Sequence, residues 1–203
     1  MRFKFAVTNV VRLFFSTECS IRVFSIVMNK KLKTEELQRL TPEEFKKAEK
    51  LPLTVVLDNV RSLHNVGSIF RTADAFAVEQ IVLCGITAVP PAREITKTAI
   101  GAEETVDWKY FEHTEDAVKQ LKSAGYFITA GEQAEDSLNS FEVNQLKGER
   151  FALILGNEVF GVSQECIDLC DSVIEIEQRG TKHSLNVSVS AGILIYEFFK
   201  LLR

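Results

Sequence analysis

Five short apolar runs recur along the chain: LTVVL (53–57), QIVLC (80–84), YFITAG (126–131), FALILG (151–156) and VIEIE (173–177). Each has strand length, and several close on Gly or Asp. Between them the apolar spacing changes. Over 65–77, Val66, Ile69, Phe70, Ala73 and Phe76 share one helical face; Ala117, Val118 and Leu121 do the same over 114–124, and a further helical stretch is predicted at 163–170. Apolar strands alternating with amphipathic helices predict an α/β fold: a mostly parallel sheet with helices on both faces. Ligands of such sheets bind at loops beyond the strands' carboxyl ends, so chemistry is sought where these runs stop.

Three regions read differently. From residue 34, TEELQRLTPEEFKKAEKLP places Leu37, Leu40 and Phe45 among charges; Thr41-Pro42 starts a helix and Pro52 ends the segment, so residues 28–52 form a helical lead-in. The stretch 131–150 is the most polar and is expected to be an exposed connection. Near the end, strict alternation from Ser184 to Ser190 argues a strand, while AGILIYEFFKLLR argues a helix, and periodicity alone leaves the boundary open. No internal repeat is visible.

A chain of 203 residues supports one sizeable core, and one domain is the default. With 24 basic and 28 acidic residues the net charge is −4, so a nucleic-acid role needs a local basic patch rather than a whole-molecule field. Lys30, Lys31, Lys33, Arg39, Lys46, Lys47 and Lys50 of the lead-in offer one, and would serve equally as a solvated face. Cys19, Cys84, Cys166 and Cys170 show neither paired metal spacing nor a disulfide framework, which suits a reducing cytoplasm. Cys166 and Cys170 with His183 downstream read more simply as core thiols than as metal ligands, and no metal is expected. Residues 1–27 are Phe-rich, with four Arg or Lys to one Glu. Arg12 splits their apolar run and no A-x-A-like site follows, so export is not expected. They read as an extension, either upstream of the native start at Met28 or disordered. No apolar run reaches the roughly 20 residues of a membrane span.

Three stretches carry candidate chemistry. In LDNVRSLHNVGSIFRTADAF (57–76), Asn65, Gly67 and Ser68 occupy a helix start, where free N–H groups favour an anion, with Arg61 and Arg71 nearby; an N-capped helix with a solvated arginine explains the same residues. In LILGNEVFGVSQE (153–165) a strand enters a turn between Gly156 and Gly161, with Asn157 and Glu158 at its exit. The Lys-Ser/Thr of a P-loop and any G-x-G-x-x-G are absent, which removes the usual support for nucleotide hydrolysis or dinucleotide binding; a purely structural turn remains open. In IEIEQRGTKHSLNVSVSAG, His183, Ser184, Asn186, Ser188 and Ser190 stand where a plain core would carry Leu and Ala. Unpaired buried polar groups cost about 1–3 kcal/mol each, so these need partners, from backbone or ligand.

In this order, these stretches resemble the three motifs of the SpoU (TrmH) family of RNA ribose 2′-O-methyltransferases, within the SPOUT superfamily: NVGSIFRTADAF, LILGNEVFGV and IEIEQRGTKHSLNVSVSAG. The likeness covers roughly residues 52–200. It implies that residues 53–203 are a SPOUT methyltransferase domain whose C-terminal segment threads a preceding loop as a trefoil knot, an exception to unknotted topology. It implies S-adenosyl-L-methionine as cofactor, held by Leu155, Gly156, Asn157, Gly161, Ile176 and Leu185. Catalysis would rest on Arg71, Asn65, Glu158, Ser184 and Asn186. Ser184 and Asn186 would complete the ligand site and brace the knot, while Leu185, Val187 and Val189 pack.

The resemblance further implies a homodimer acting on RNA (tRNA or rRNA) in the cytoplasm, with neither DNA nor membrane as partner. A guanidinium keeps its proton to above about pH 12, so Arg71 is expected to orient a phosphate and the 2′-OH. No separate N-terminal RNA-binding domain is recognised, which favours tRNA. Motif 3 reads IEIEQRG where relatives often carry a proline. The reading in another class is a non-catalytic RNA-binding or ribosome-assembly protein that keeps the fold.

Overall fold

The computed structural model describes residues 29–203, so the expectation for residues 1–27 lies outside the described residues. Residues 29–39 carry a single 3-10 turn, Thr34–Leu37. The remainder, from Leu40, is one compact unit of seven strands and seven α-helices.

Its sheet has strands β1 (Leu51–Asp58), β2 (Val78–Cys84), β3 (Asp107–Phe111), β4 (Phe127–Gly131), β5 (Leu138–Asn139), β6 (Phe151–Leu155) and β7 (Ser172–Glu175). Their order is β3-β2-β1-β6-β4-β7-β5, and every pairing is parallel. Helices α1 (Pro42–Lys47), α2 (Leu63–Ala75), α3 (Arg93–Ala99), α4 (Ala102–Thr105), α5 (Thr114–Ser123), α6 (Gln164–Ile167) and α7 (Val187–Leu201) complete the unit.

Alternation along β1 divides the core. Leu53, Val55 and Leu57 face the α2 and α7 side, with Ile69, Phe70, Leu194 and Phe198. Val56 faces the α5 and α6 side, with Val118, Ile128, Ile154 and Cys166. Central strands buried on both faces read as unbroken apolar runs, which is why the pattern located them.

The differences from expectation have local causes. Beyond its 3-10 turn the lead-in is α-helical only over Pro42–Lys47, where Thr41 caps and accepts from the Glu44 N–H; Leu51 already pairs with Val78. Pro52 lies inside β1, where the register with β2 slips between Leu51 and Thr54, the kind of position a residue without an N–H tolerates. The connection 131–150 is not wholly exposed: β5 and a 3-10 stretch, Ser140–Gln145, bury Val143 and leave Leu146 9% accessible. The last segment is helical from Val187, with Asn186 as its cap. Among the described residues no helix is long and apolar enough to cross a membrane.

Candidate functional site

The exits of β4, β6 and β7 converge with the start of α7. After β6 the chain turns through Gly156–Gly161. Asn157 and Gly161 exchange backbone hydrogen bonds of 2.9 Å each way. The Asn157 Oδ1 accepts from the N–H groups of Val159 (2.8 Å) and Phe160 (3.2 Å), and its Nδ2 donates to the Asn59 carbonyl at 2.8 Å. Asn157 therefore builds the turn and ties it to the end of β1. A Cβ on Gly156 would sit 2.0 Å from the Gly161 carbonyl carbon and 2.1 Å from the Val162 nitrogen, so no larger residue fits. Gly161 has φ +69°, the left-handed region.

Glu158 reaches the other way. Its carboxylate accepts from the N–H groups of Arg61 and Ser62 and from Asn65 Nδ2, each at 3.0 Å. These donors flank the start of α2, whose first N–H groups lack intrahelical partners. Burial pushes the Glu158 carboxyl up, but the bonds from Arg61, Asn65, its own N–H and Ser62 outweigh this and hold its pKa below the ordinary value.

Asn65 passes the link onward. Its Oδ1 accepts from Asn186 Nδ2 at 3.1 Å, and Asn186 Oδ1 accepts from the Ser188 N–H (2.9 Å) and Oγ (2.6 Å). A line of side chains, Glu158–Asn65–Asn186–Ser188, thus joins the β6 exit, the start of α2 and the cap of α7. Of the polar residues in that stretch, Asn186 and Ser188 find their side-chain partners in this line and in the cap, while His183 and Ser184 are exposed and so need none.

The packed side of the stretch needs correction. Val187 is 8% exposed, but Leu185 is 38% and Val189 50% exposed. Since α7 begins at Val187, two residues further is the opposite face, and burial continues instead at Ala191, Leu194, Ile195 and Phe198. Gly67 and Ser68 also lie deeper in α2 than a helix-start anion site requires. Gly67 is buried against α3, and the Ser68 hydroxyl donates to the His64 carbonyl at 2.8 Å.

These elements enclose a cleft of about 520 Å3. Leu155, Gly156, Asn157, Glu158, Gly161, Ile176, Ser184, Leu185 and Asn186 all line it, and Asn65 stands behind, bonded to Glu158 and Asn186. Arg71 is not in its wall; it is exposed, six residues beyond Asn65 along α2. The Leu185 N–H and C=O have no hydrogen-bond partner among the described residues, leaving a donor and an acceptor at the cleft. The volume lies within the roughly 300–1,000 Å3 of small-molecule sites.

Sequence reasoning missed two carboxylates. Glu132, in the cleft wall, accepts from the Val162 N–H at 2.9 Å and the Gln133 N–H at 2.8 Å. The neighbouring Gln133 Nε2 donates to the His183 carbonyl at 3.0 Å, linking the β4 exit to the last loop. Asp58, 2% exposed, accepts from Thr114 Oγ1 (2.6 Å), Asn59 Nδ2 (2.8 Å) and the Ser163 N–H (3.1 Å). Each directly follows an apolar run, Asp58 after LTVVL and Glu132 after YFITAG, and that position is their one signal in sequence. Burial pushes the Cys84 and Cys170 thiols up to about 12 and Cys166 to about 11, so none is a nucleophile at neutral pH. Among the described residues no cluster of His, Cys, Asp and Glu is arranged to hold a metal ion.

Residues 52–196 match the family model described as the SpoU rRNA Methylase family. An uncharacterized tRNA/rRNA methyltransferase of Borreliella burgdorferi is 32% identical over 169 residues, 83% of this chain and 72% of the relative. A 23S rRNA (guanosine-2′-O-)-methyltransferase of Nitrosomonas europaea is 35% identical over 149 residues, 73% of this chain but only 56% of that protein. Among solved structures, the A. aeolicus TrmH/SpoU tRNA modifying enzyme superposes with TM-score 0.69 at 29% identity, covering 79% of this chain and 81% of that one. The AdoMet-bound rRNA methyltransferase of Sinorhizobium meliloti gives TM-score 0.69 at 27% identity over 80% of this chain and 61% of its own.

Proposed function

The chain belongs to the SpoU rRNA methylase family, and from that premise and the cleft we propose that it transfers a methyl group from S-adenosyl-L-methionine to a ribose 2′-OH of tRNA or rRNA. The observation that carries the reading is the Glu158–Asn65–Asn186–Ser188 line, which sets the start of α2 against a cleft of small-molecule size. The cofactor-bearing relative and the ribose specificity in one relative's name support it.

Within this reading Leu155, Gly156, Ile176 and Leu185 hold the cofactor, the last through its unpaired backbone groups. When bound, it supplies an electrophilic sulfonium methyl. The protein's task is then alignment more than acid–base power. Glu158, held by Arg61, Ser62 and Asn65, positions α2 instead of taking a proton; Asn65 and Asn186 transmit that position, and Ser184 offers its hydroxyl from the cleft wall. Arg71, permanently charged, orients a phosphate and the acceptor hydroxyl from further along α2. Two copies of the chain, and the knotted threading of its C-terminal segment, complete the reading.

The test is incubation of purified protein with methyl-labelled cofactor and separate tRNA and rRNA fractions, followed by alkaline hydrolysis. A ribose 2′-O-methyl blocks cleavage of the adjoining phosphodiester, so label in alkali-resistant dinucleotides is expected. Label on bases, or none on either RNA, overturns the proposal.

A further inference from the structure

Beside the cleft lies a second hollow of about 420 Å3, walled by Arg61, Ile86, Phe160 and Ser163 over a floor of Asp58, Asn59 and Asn157. Asn157, Phe160 and Gly161 belong to both, so one turn separates them. Phe160 is 85% exposed and Ile86 64% exposed. Neither exposure comes from a loose loop. The Phe160 N–H is held by Asn157 Oδ1 and the turn is closed by the Asn157–Gly161 bridge, while the Ile86 N–H donates to Asn59 Oδ1 at 3.2 Å. The floor side chains are bonded to protein: Asp58 accepts from Asn59, Thr114 and the Ser163 N–H, Asn59 also accepts from the Ile86 N–H, and Asn157 bonds Asn59, Val159 and Phe160. What the hollow offers a visitor is an aromatic face, an aliphatic wall and the Arg61 guanidinium at its edge.

We propose that this hollow seats an unstacked nucleobase of the RNA, with Phe160 as the stacking platform and Arg61 against the adjoining phosphate. The proposal rests on the reading of the preceding subsection and extends it to the substrate side. A base needs a flat apolar partner, and stacking on an aromatic side chain is the general means of holding single-stranded RNA. With its Asn and Asp side chains bonded to protein, the hollow leaves the Ser163 hydroxyl as the one side-chain group to meet a base edge, so it accepts bases with little regard to identity. Its position suits the chemistry: the Asn157–Gly161 turn borders both hollows, so a base seated here leaves its ribose at the rim that the hollow shares with the cofactor cleft.

The experiment uses the full chain, Phe160→Leu and Phe160→Trp, with a short single-stranded oligouridylate at low salt as probe. Uptake of S-adenosyl-L-methionine by the unsubstituted protein is measured first by calorimetry. If there is none, the underlying reading fails and the proposal with it. Given uptake, Phe160→Leu is expected to weaken oligouridylate binding roughly 5- to 100-fold, and Phe160→Trp to keep it. Indole emission beyond that of the chain's one natural Trp should be quenched as the probe is added. Cofactor uptake with no oligouridylate binding, equal affinity in Phe160→Leu, or a Phe160→Leu defect confined to self-association in light scattering each overturns the proposal. The last outcome makes the patch a contact between protein copies.

Discussion

Asn186 Nδ2 donates to Asn65 Oδ1 at 3.1 Å, joining side chains 121 positions apart at the starts of two helices. Asn186 also caps α7, so its replacement removes two roles at once. Asn186→Ala should lose about 1 kcal/mol from the cap. A double-mutant cycle with Asn65→Ala, read by urea denaturation, should give a coupling of about 0.5–1 kcal/mol. Strict additivity would mean that the bond contributes nothing in solution.

The lowered pKa of Glu158 sets a pH dependence. A carboxyl depressed on folding stabilises above its ordinary value of 4.5, and that contribution is lost as pH falls through the folded value. Glu158→Gln should therefore be less stable than the unsubstituted protein at neutral pH, by on the order of 1 kcal/mol for a partly solvated acceptor. The difference should shrink on acidification below pH 4.5, checked by paired thermal melts across pH.

Gly156→Ala drives a Cβ into backbone, 2.0 Å from Gly161 and 2.1 Å from Val162. Backbone yields less readily than a side chain, so a loss of about 1–3 kcal/mol is expected, or about 2–4 °C in Tm per kcal/mol. Calorimetry should show cofactor uptake weakened along with stability, because the same turn forms the cleft wall.

Arg71 behaves oppositely. It is exposed and outside the cleft wall, so Arg71→Ala should change stability by no more than about 0.5 kcal/mol and leave cofactor uptake intact. Methyl transfer to RNA should fall by roughly 100-fold or more. Arg71→Lys should recover only part of it, since an ammonium lacks the planar fork. Turnover undiminished in Arg71→Ala would remove the arginine from the mechanism.

The central strands and α2, α5 and α7 were legible because burial on both faces, or on one helical stripe, leaves a strong apolar pattern. β3 escaped notice because an edge strand keeps much of its surface in water: Asp107, Lys109 and Tyr110 are exposed, and DWKYF shows no apolar run. The two short helices α3 and α4 fill REITKTA and AEET, where too few apolar residues recur to set a period. At the site, the residues at strand exits were found from position and type. Glu132 and Asp58 were not, because an acid after a strand looks solvated until the backbone N–H groups converging on it from distant segments are seen. The alternation around Val189 misled for a related reason: beyond a helix cap, a period of two has no structural meaning.

The bonds that hold the cleft and the hollow beside it span about half the chain: Arg61 to Glu158 over 97 residues, Asn157 to Asn59 over 98, Ser163 to Asp58 over 105. Contacts so distant in sequence form late, after the costly loops between them have closed. The β1–β6 pairing has the same reach, Leu57 to Leu155 over 98 residues, so the central sheet and the mouth for a small molecule close together. The capacity to bind appears only together with the finished topology, so a ligand that fits the cleft acts as a reporter of complete folding and, by mass action, as a clamp that favours it.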